Sequence, residues 1–475
     1  MNDASTPTLS RTGCWLVLAV AFLGWFFAGV HMAITSIVMR VAVADLLPAG
    51  SGEGEIGKWF GWMVCAFLFG AAAGGYTFGY VGDRIGRSKA MAGSILWYSA
   101  FSGLAYFARS PEALLVLRFL TCMGVGGIWP NGVALLAEAW PDVSRPFLAG
   151  LIGTAANVGI TLFALLTIPW HVTAADWRWT MLAGATPIVL GIFGWFAVPE
   201  SPRWLSLRGR DAETAISRSG RPVRTSTADD APVEAQTPTA RTAPQGPDGP
   251  SGPTSHAGLM EIFRPPILRI TLVGILLGTV PLFGGWGVSN WANAWASEAG
   301  DRPASAKKSD AKQSESPDPA LKSWATIARG LPGSISSLLG GALAFYLGRK
   351  RTYFLLSLGA LVCTQLLFRV DDPHDPAFLF WMGALGFFSG FFFGWLPLCL
   401  PELFPTRVRS TGAGVSFNWG RILTGIGVLA SAVALKEAFQ GEYALVGRVT
   451  GLVYALGMVV ILFAPDVHGE ELKEG

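Results

Sequence analysis

The chain has 475 residues, of which 51% are hydrophobic and 14% charged, with a mean hydropathy of +0.44. A soluble protein carries about a quarter charged residues, so apolarity spread over the whole length points to lipid as the solvent. The net charge of +3 is small, and no Lys/Arg run interleaved with aromatics offers a nucleic-acid groove.

A bilayer crossing takes about 20 apolar residues, and in chain order this ruler gives twelve predicted spans. The opening run from Cys14 to Val38 is too long for a signal-peptide core and has no A-x-A exit, so it reads as a retained first helix. Spans one to six are predicted at 14–39, 59–81, 90–108, 112–138, 146–169 and 178–198. Residues 207–257 are rich in Ser, Thr, Pro, Gly, Ala and Arg without apolar periodicity, and read as a disordered linker. Spans seven to twelve are predicted at 266–296, 324–347, 352–369, 377–400, 409–436 and 444–464, with a flexible polar loop at 298–322. The predicted fold is therefore an all-α membrane protein, with a six-helix bundle over 1–206, the linker, and a second six-helix bundle over 258–475. Cys14, Cys65, Cys122, Cys363 and Cys399 lie in or beside apolar segments without a C-x-x-C pair, so no metal site, disulfide framework or cofactor is expected.

The loops after spans two, four, eight and ten carry Arg84, Arg87, Lys89, Arg145, Arg349, Lys350, Arg351, Arg407 and Arg409. The loop after span nine reads Asp371-Asp372-Pro373-His374-Asp375 instead. The positive-inside rule then places both termini and the linker in the cytoplasm of a multi-pass cell-membrane protein, expected to be a monomer.

The two halves repeat. Glu138-Ala139-Trp140-Pro141, Arg145 and Gly150 match Glu402-Leu403-Phe404-Pro405, Arg409 and Gly414 at a constant offset of 264 residues. Gly79-x-x-x-Asp83-Arg84-x-Gly86-Arg87 matches Gly341-x-x-x-Phe345-Tyr346-x-Gly348-Arg349, and Pro199-Glu200-Ser201-Pro202-Arg203-Trp204 is echoed at Pro465-Asp466-Val467-His468-Gly469. A parallel repeat about an axis along the membrane normal is one way carriers are built, with the solute between the halves.

On these residues the chain resembles the major facilitator superfamily, in the branch of sugar porters, organic-ion transporters and the aromatic-acid and sialic-acid proton symporters. Gly79 to Lys89 matches the hallmark loop between helices two and three. Arg118-Phe-Leu-Thr-Cys-Met-Gly124-Val-Gly126-Gly127 resembles the fourth-helix arginine–glycine motif, and Glu138 to Arg145, Pro199 to Leu205, Glu402 to Thr411 and Pro465 to Leu472 match further branch signatures. The resemblance implies latches on the cytoplasmic face that hold the inward gate shut when the site faces outward. Asp83 is placed to accept from a neighbouring helix N-terminus, Gly79 and Gly86 to allow close approach and a tight turn, and Glu138–Arg145 and Glu402–Arg409 to form ion pairs. Glu200, Arg203 and Arg407 complete this set. Phe345 and Tyr346 replace the acid–base pair in the second half, so the latch there is expected to be weaker.

Ionisable groups inside spans are costly and mark function. Those singled out are Arg118, Arg421 and His31, joined by the amides Asn131, Asn157 and Asn290 and the aromatics Trp286 and Trp291. Arginine stays charged and fits a carboxylate bidentately, which favours an anionic solute, although Arg118 can equally brace helices. Organic-acid symporters of the branch tend to carry Gly-Trp-x-x-Asp-Gly-x-Asp in helix one. Gly24-Trp25-Phe26-Phe27-Ala28-Gly29-Val30-His31 keeps the frame without the acids. Three roles for His31 stay open: a titrating group that couples a co-transported proton, a hydrogen-bonding contact to solute, or a neutral interhelical histidine. Span seven, Gly278-Thr-Val-Pro-Leu-Phe-Gly-Gly-Trp286-Gly-Val-Ser-Asn290-Trp291, lacks the glutamine pairs typical of sugar sites. No nucleophile elbow, P-loop or H-E-x-x-H marks an enzyme. The expectation is a secondary carrier of a small organic anion, with a sugar or polyol carrier and a non-transporting solute sensor as alternatives.

Overall fold

The computed structural model describes residues 9–140, 145–201, 204–205, 261–301, 318–404 and 409–465. The expected linker at 207–257 and most of the expected loop at 298–322 lie outside them. Among the described residues twelve helical spans follow the predicted order. The first half holds α1 (Arg11–Ile37), α2 (Glu53–Ile85), α3 (Arg87–Ala105), α4 (Pro111–Ala139), α5 (Arg145–Leu166) and α6 (Trp179–Ala197). The second holds α7 (Ile267–Asp301), α8 (Leu321–Leu347), α9 (Arg349–Leu367), α10 (Pro376–Glu402), α11 (Arg409–Glu437) and α12 (Tyr443–Phe463). Nine of the described helices are long and apolar enough to cross a membrane. α3 and α9 are less apolar, since each opens on basic residues and carries hydroxyls. In α3 the serines all find carbonyls, Ser94 on Ala90 (2.8 Å) and Ser99 on Ile95 (2.7 Å) of the same helix, Ser102 on Met181 of α6 (2.9 Å) and Ser88 on Val198 at its end (2.9 Å).

Local chemistry explains the irregularities. Ser10 accepts from the Gly13 N–H at 3.1 Å and caps α1, and Pro at the first position of α4 fits where no intrahelical donor is needed. α6 breaks between Ala185 and Ile188, at Pro187. Pro281 sits inside α7 and cannot donate to Leu277 four residues earlier. The Tyr353 hydroxyl of α9 donates to that free carbonyl at 2.8 Å, replacing the missing bond from a neighbouring helix. Immediately after, α7 passes through a five-residue π-turn, Gly284–Val288. A short helix, Met39–Leu46, prolongs α1 at its far end.

Glycines set the tightest crossings. A Cβ on Gly126 of α4 would fall within contact distance of the Ala71 carbonyl oxygen of α2, and one on Gly74 would meet the Met123 carbonyl. Gly86 (φ +108°) and Gly348 (φ +85°), equivalent in the repeat, both take left-handed backbone in the turns before α3 and α9. That equivalence bears out the repeat at the level of backbone geometry. Gly126→Val therefore overpacks the α2–α4 crossing and is expected to cost about 3 kcal/mol or more of stability. Gly79→Ala, whose Cβ would meet nothing within 4 Å, should change stability little. Thermal unfolding of both variants in one detergent checks the contrast.

Candidate functional site

The α2–α3 and α8–α9 turns lie at one end of the bundle, called here the basic end. From the opposite end inward, α2 packs along α11 of the other half through residues four apart, which share one helix face. Gly57 meets Leu435, Gly61 meets Ala432, the Cys65 thiol donates to the Gly425 carbonyl (3.1 Å), and Phe69 lies on Gly425. The seam continues to Gly75, whose Cβ would sit 3.3 Å from Asn418 Oδ1. One turn further on the same faces, Gly79 and Gly414 meet nothing within 4 Å, and Tyr76 and Tyr80 are exposed. The halves touch from the opposite end to beyond mid-height and then part towards the basic end.

Closure at the opposite end is polar. Arg40, buried in the short helix after α1, donates to Glu53 of its own half (2.6 Å) and to Asp301 (2.7 Å) and Ser297 (3.2 Å) of the other. Burial alone would lower the Arg40 pKa, but Tyr443, Glu53 and Asp301 outweigh it and hold it above its ordinary value. The Lys322 ammonium of α8 donates to the Val172 carbonyl (2.8 Å), Thr167 bonds Ser323 (2.8 Å), and Ser36 of α1 donates to Asn290 of α7 (2.6 Å).

The residues singled out from sequence do not form one cluster. Arg421 lies half-buried at mid-height of α11, with its guanidinium over the Phe417 ring (4.8 Å) and Nη1 3.4 Å from the Ala71 carbonyl across the seam. No described carboxylate pairs with it. Asn157, 264 residues before Arg421 and so its repeat counterpart, is half-buried on α5. Trp286 is half-buried in the π-turn and stacks on Phe67 of α2. Asn290 and Trp291 belong to the closed end. Asn290 is held by Ser36 and by its own bond to the Trp286 carbonyl (2.8 Å), and Trp291 is buried with its indole N–H on Ser431 (3.1 Å). Asn131 is buried inside the first half, donating to the Phe78 (3.0 Å) and Gly127 (2.9 Å) carbonyls.

Arg118 is fully buried in α4. Nη2 donates to the Thr35 hydroxyl (2.8 Å) and the His31 carbonyl (3.2 Å) of α1, while Nε and Nη1 find no partner among the described residues. The His31 ring is also fully buried. Its Nε2 lies 3.1 Å from the Gly184 carbonyl of α6, which accepts from a protonated nitrogen, and Tyr98 of α3 packs edge-on at 5.0 Å. These ring neighbours all belong to the first half.

The basic end holds the latch residues. Glu200, at the end of α6, accepts from the backbone N–H groups of Arg87 (2.8 Å) and Ser88 (3.1 Å) at the start of α3. A carboxylate is favoured there by the helix dipole. It packs against Gly86, where a side chain would collide with it. The side chain of Asp83, expected in that role, lies outside the described residues, as do those of Glu138, Arg145, Arg203, Arg407 and Arg409. Arg84 stacks over Tyr80 (4.3 Å). In the second half Glu402 forms a two-bond ion pair with Arg349 (3.0 and 3.2 Å), while the expected partner Arg409 lies outside the described side chains. Phe345 and Tyr346 are exposed. Sequence reasoning passed over Arg40, Lys322 and Arg329. The last lies inside α8, donates weakly to Ser289 (3.3 Å) and has a buried, unpartnered Nε. The rule that flagged Arg118 would have found it.

Two six-helix bundles that meet along a glycine-rich seam crossed by an arginine and part at one end define an alternating-access carrier of the major facilitator superfamily. The sugar (and other) transporter family model matches residues 15–290 and 308–474, so the chain belongs to that family. It is 25% identical over 463 residues to the niacin transporter NiaP of Acinetobacter baylyi, covering 97% of this chain and 95% of the relative. It is 32% identical over 195 residues to the gallate transporter of Pseudomonas putida, covering 41% and 42%. The inward-open xylose transporter XylE of E. coli shares the fold, with a TM-score of 0.67 at 18% identity over 97% of this chain and 98% of that one.

Of the two ion pairs of Arg40, the one to Asp301 crosses between the halves, and Asp301 is half exposed, so its loss falls on the closed state and is worth about 1 kcal/mol. In Arg40→Ala, a reporter cysteine at the buried seam position (Ala432→Cys) is expected to react at least about fivefold faster with an impermeant thiol reagent added at the opposite face. An unchanged rate would mean that other contacts hold that end.

Proposed function

We propose that this carrier moves a small organic anion, a carboxylate on a flat apolar body, across the cell membrane as a monomer, with a co-transported proton. In this reading the basic end and both termini face the cytoplasm, residues 1–206 and 258–475 act as the two moving bundles joined by 207–257, and the conformation described above faces inward. Arg421 carries the proposal. It is a permanent cation at mid-height on the inter-half seam, its best protein acceptor is a peptide carbonyl at 3.4 Å, and no described carboxylate neutralises it. A guanidinium so placed presents a fork that fits a carboxylate. The relatives named for gallate and niacin, both ring carboxylates, support the same class. Asn157 and Trp286 are proposed to line the site with Arg421. Arg118 and His31 are read as braces of the first half, and Asn290 and Trp291 as parts of the outer closure.

Charge-assisted hydrogen bonds are worth about 1.5–3 kcal/mol. In proteoliposomes with an imposed inward proton gradient, Arg421→Gln should therefore slow uptake of labelled benzoate at least about tenfold, with Arg421→Lys intermediate. Preference for xylose over benzoate, or full benzoate uptake by Arg421→Gln, would move the reading to a sugar carrier. His31→Gln should keep gradient-driven accumulation, since a brace needs only a donor for the Gly184 carbonyl. Loss of the gradient response at normal solute exchange would return His31 to proton coupling.

A further inference from the structure

One turn along the seam from Arg421 is an aromatic pair that crosses between the halves. Phe67 of α2 and Trp286 of α7 stack with ring centroids 4.0 Å apart and planes at 23°. Phe67 is buried, whereas Trp286 is half-buried. Trp286 occupies the middle of the π-turn Gly284–Val288, between Gly285 and Gly287. A π-turn inserts a residue into the helix and is found mostly at functional sites. Here it turns one large ring towards the other half, and the flanking glycines leave no Cβ beside it. A Cβ on Gly285 would have no neighbour nearer than the Phe393 ring at 3.9 Å.

The register of α2 links this pair to the cation. Phe67 and Ala71 are four residues apart, so they share a face about 6 Å apart along the axis. The Ala71 carbonyl is the group that Arg421 reaches at 3.4 Å. The α2 residues that meet the indole and the guanidinium are therefore successive on one helix face of the seam.

We propose that Trp286 is the platform for the ring of the solute and that Phe67 is its stand-in in the unloaded carrier. The incoming ring takes the place of Phe67 on the indole face while the carboxylate replaces the Ala71 carbonyl at Arg421. The proposal rests on the anion reading above and narrows it to planar aromatic or heteroaromatic monocarboxylates. Both exchanges replace like with like. One stacked ring succeeds another, so the indole face is never left bare, and a long neutral hydrogen bond gives way to shorter charge-assisted ones. Because Phe67 and Trp286 belong to different halves, displacing Phe67 also removes a contact that holds the halves together.

The test compares benzoate with cyclohexanecarboxylate, which keeps the charge and bulk and loses the flat π-face. Binding is followed by titration calorimetry on the purified full chain, and melting temperature reports on folding. Stacking is worth about 0.5–1.5 kcal/mol, so the wild type is expected to favour benzoate about threefold to tenfold. Trp286→Leu should bind both acids alike, and Trp286→Phe should keep the preference. Phe67→Ala removes the competitor and should bind benzoate as tightly as the wild type or tighter, even though the variant melts lower. The proposal is overturned if Trp286→Leu keeps the wild-type preference, or if Phe67→Ala loses benzoate affinity together with stability, as inert packing would. Failure of the anion reading looks different: the wild type binds neither acid, or Arg421→Gln binds both as the wild type does.

Discussion

Inside a bilayer a peptide group has no water to bond, and an unsatisfied one costs several kcal/mol. Much of this structure follows from that constraint. It makes every span helical, and where the sequence interrupts a helix it calls in a partner from elsewhere. Tyr353 is that partner for Leu277, the carbonyl orphaned by Pro281. The same rule keeps α3 within the bundle despite its serines, because their hydroxyls find carbonyls of α3 itself or of the neighbouring α6 segment. Close crossings then depend on glycine, since satisfied helices approach only as nearly as their side chains permit, and α2 reaches α4 through Gly74 and Gly126.

Buried cations obey the same accounting, and their surroundings separate their roles. Arg118 is enclosed by the first half and spends its bonds on α1, so it fixes the shape of one bundle. Arg40 bridges carboxylates of both halves and belongs to one conformation. Arg421 crosses the seam at mid-height with only a weak acceptor, which leaves it open to a mobile partner. In the proposed reading, three residues of one type thus serve as brace, bolt and receptor.

The architecture was legible because it depends on length and period. Span positions, the repeat and the two glycine turns are properties of a one-dimensional pattern, and Gly86 and Gly348 take the conformation that their shared motif requires. Arg421 was legible for a similar reason, being an ion where an ion is costly. The direction in which a residue faces was not. His31 sits in the helix-one frame of organic-acid symporters, yet its ring turns to Gly184 and Tyr98, a choice made by how α1 rotates against α3 and α6. Asn290 and Trp291 follow Trp286 by four and five residues, but the π-turn and the height of the closure separate their roles, and no local rule announces a π-turn. Glu402 meets Arg349, a partner far away in sequence, because the α8–α9 turn delivers the guanidinium beside it.

The seam itself has a kinetic consequence. Where α2 faces α11, small residues recur on one side or the other: Gly57, Gly61, Gly75, Gly425 and Ala432. Interlocked knobs and holes have to be withdrawn before two helices can part, which raises the barrier between states. Here Leu435 lies on Gly57 and Phe69 on Gly425, knobs facing glycines rather than side-chain holes, so fewer interlocked side chains have to disengage. Such a contact is stable when made yet quickly remade elsewhere, and it suits a machine whose halves exchange partners on the microsecond-to-millisecond scale of collective domain motion. The glycines that make this seam close-packed would also lower the barrier to parting it.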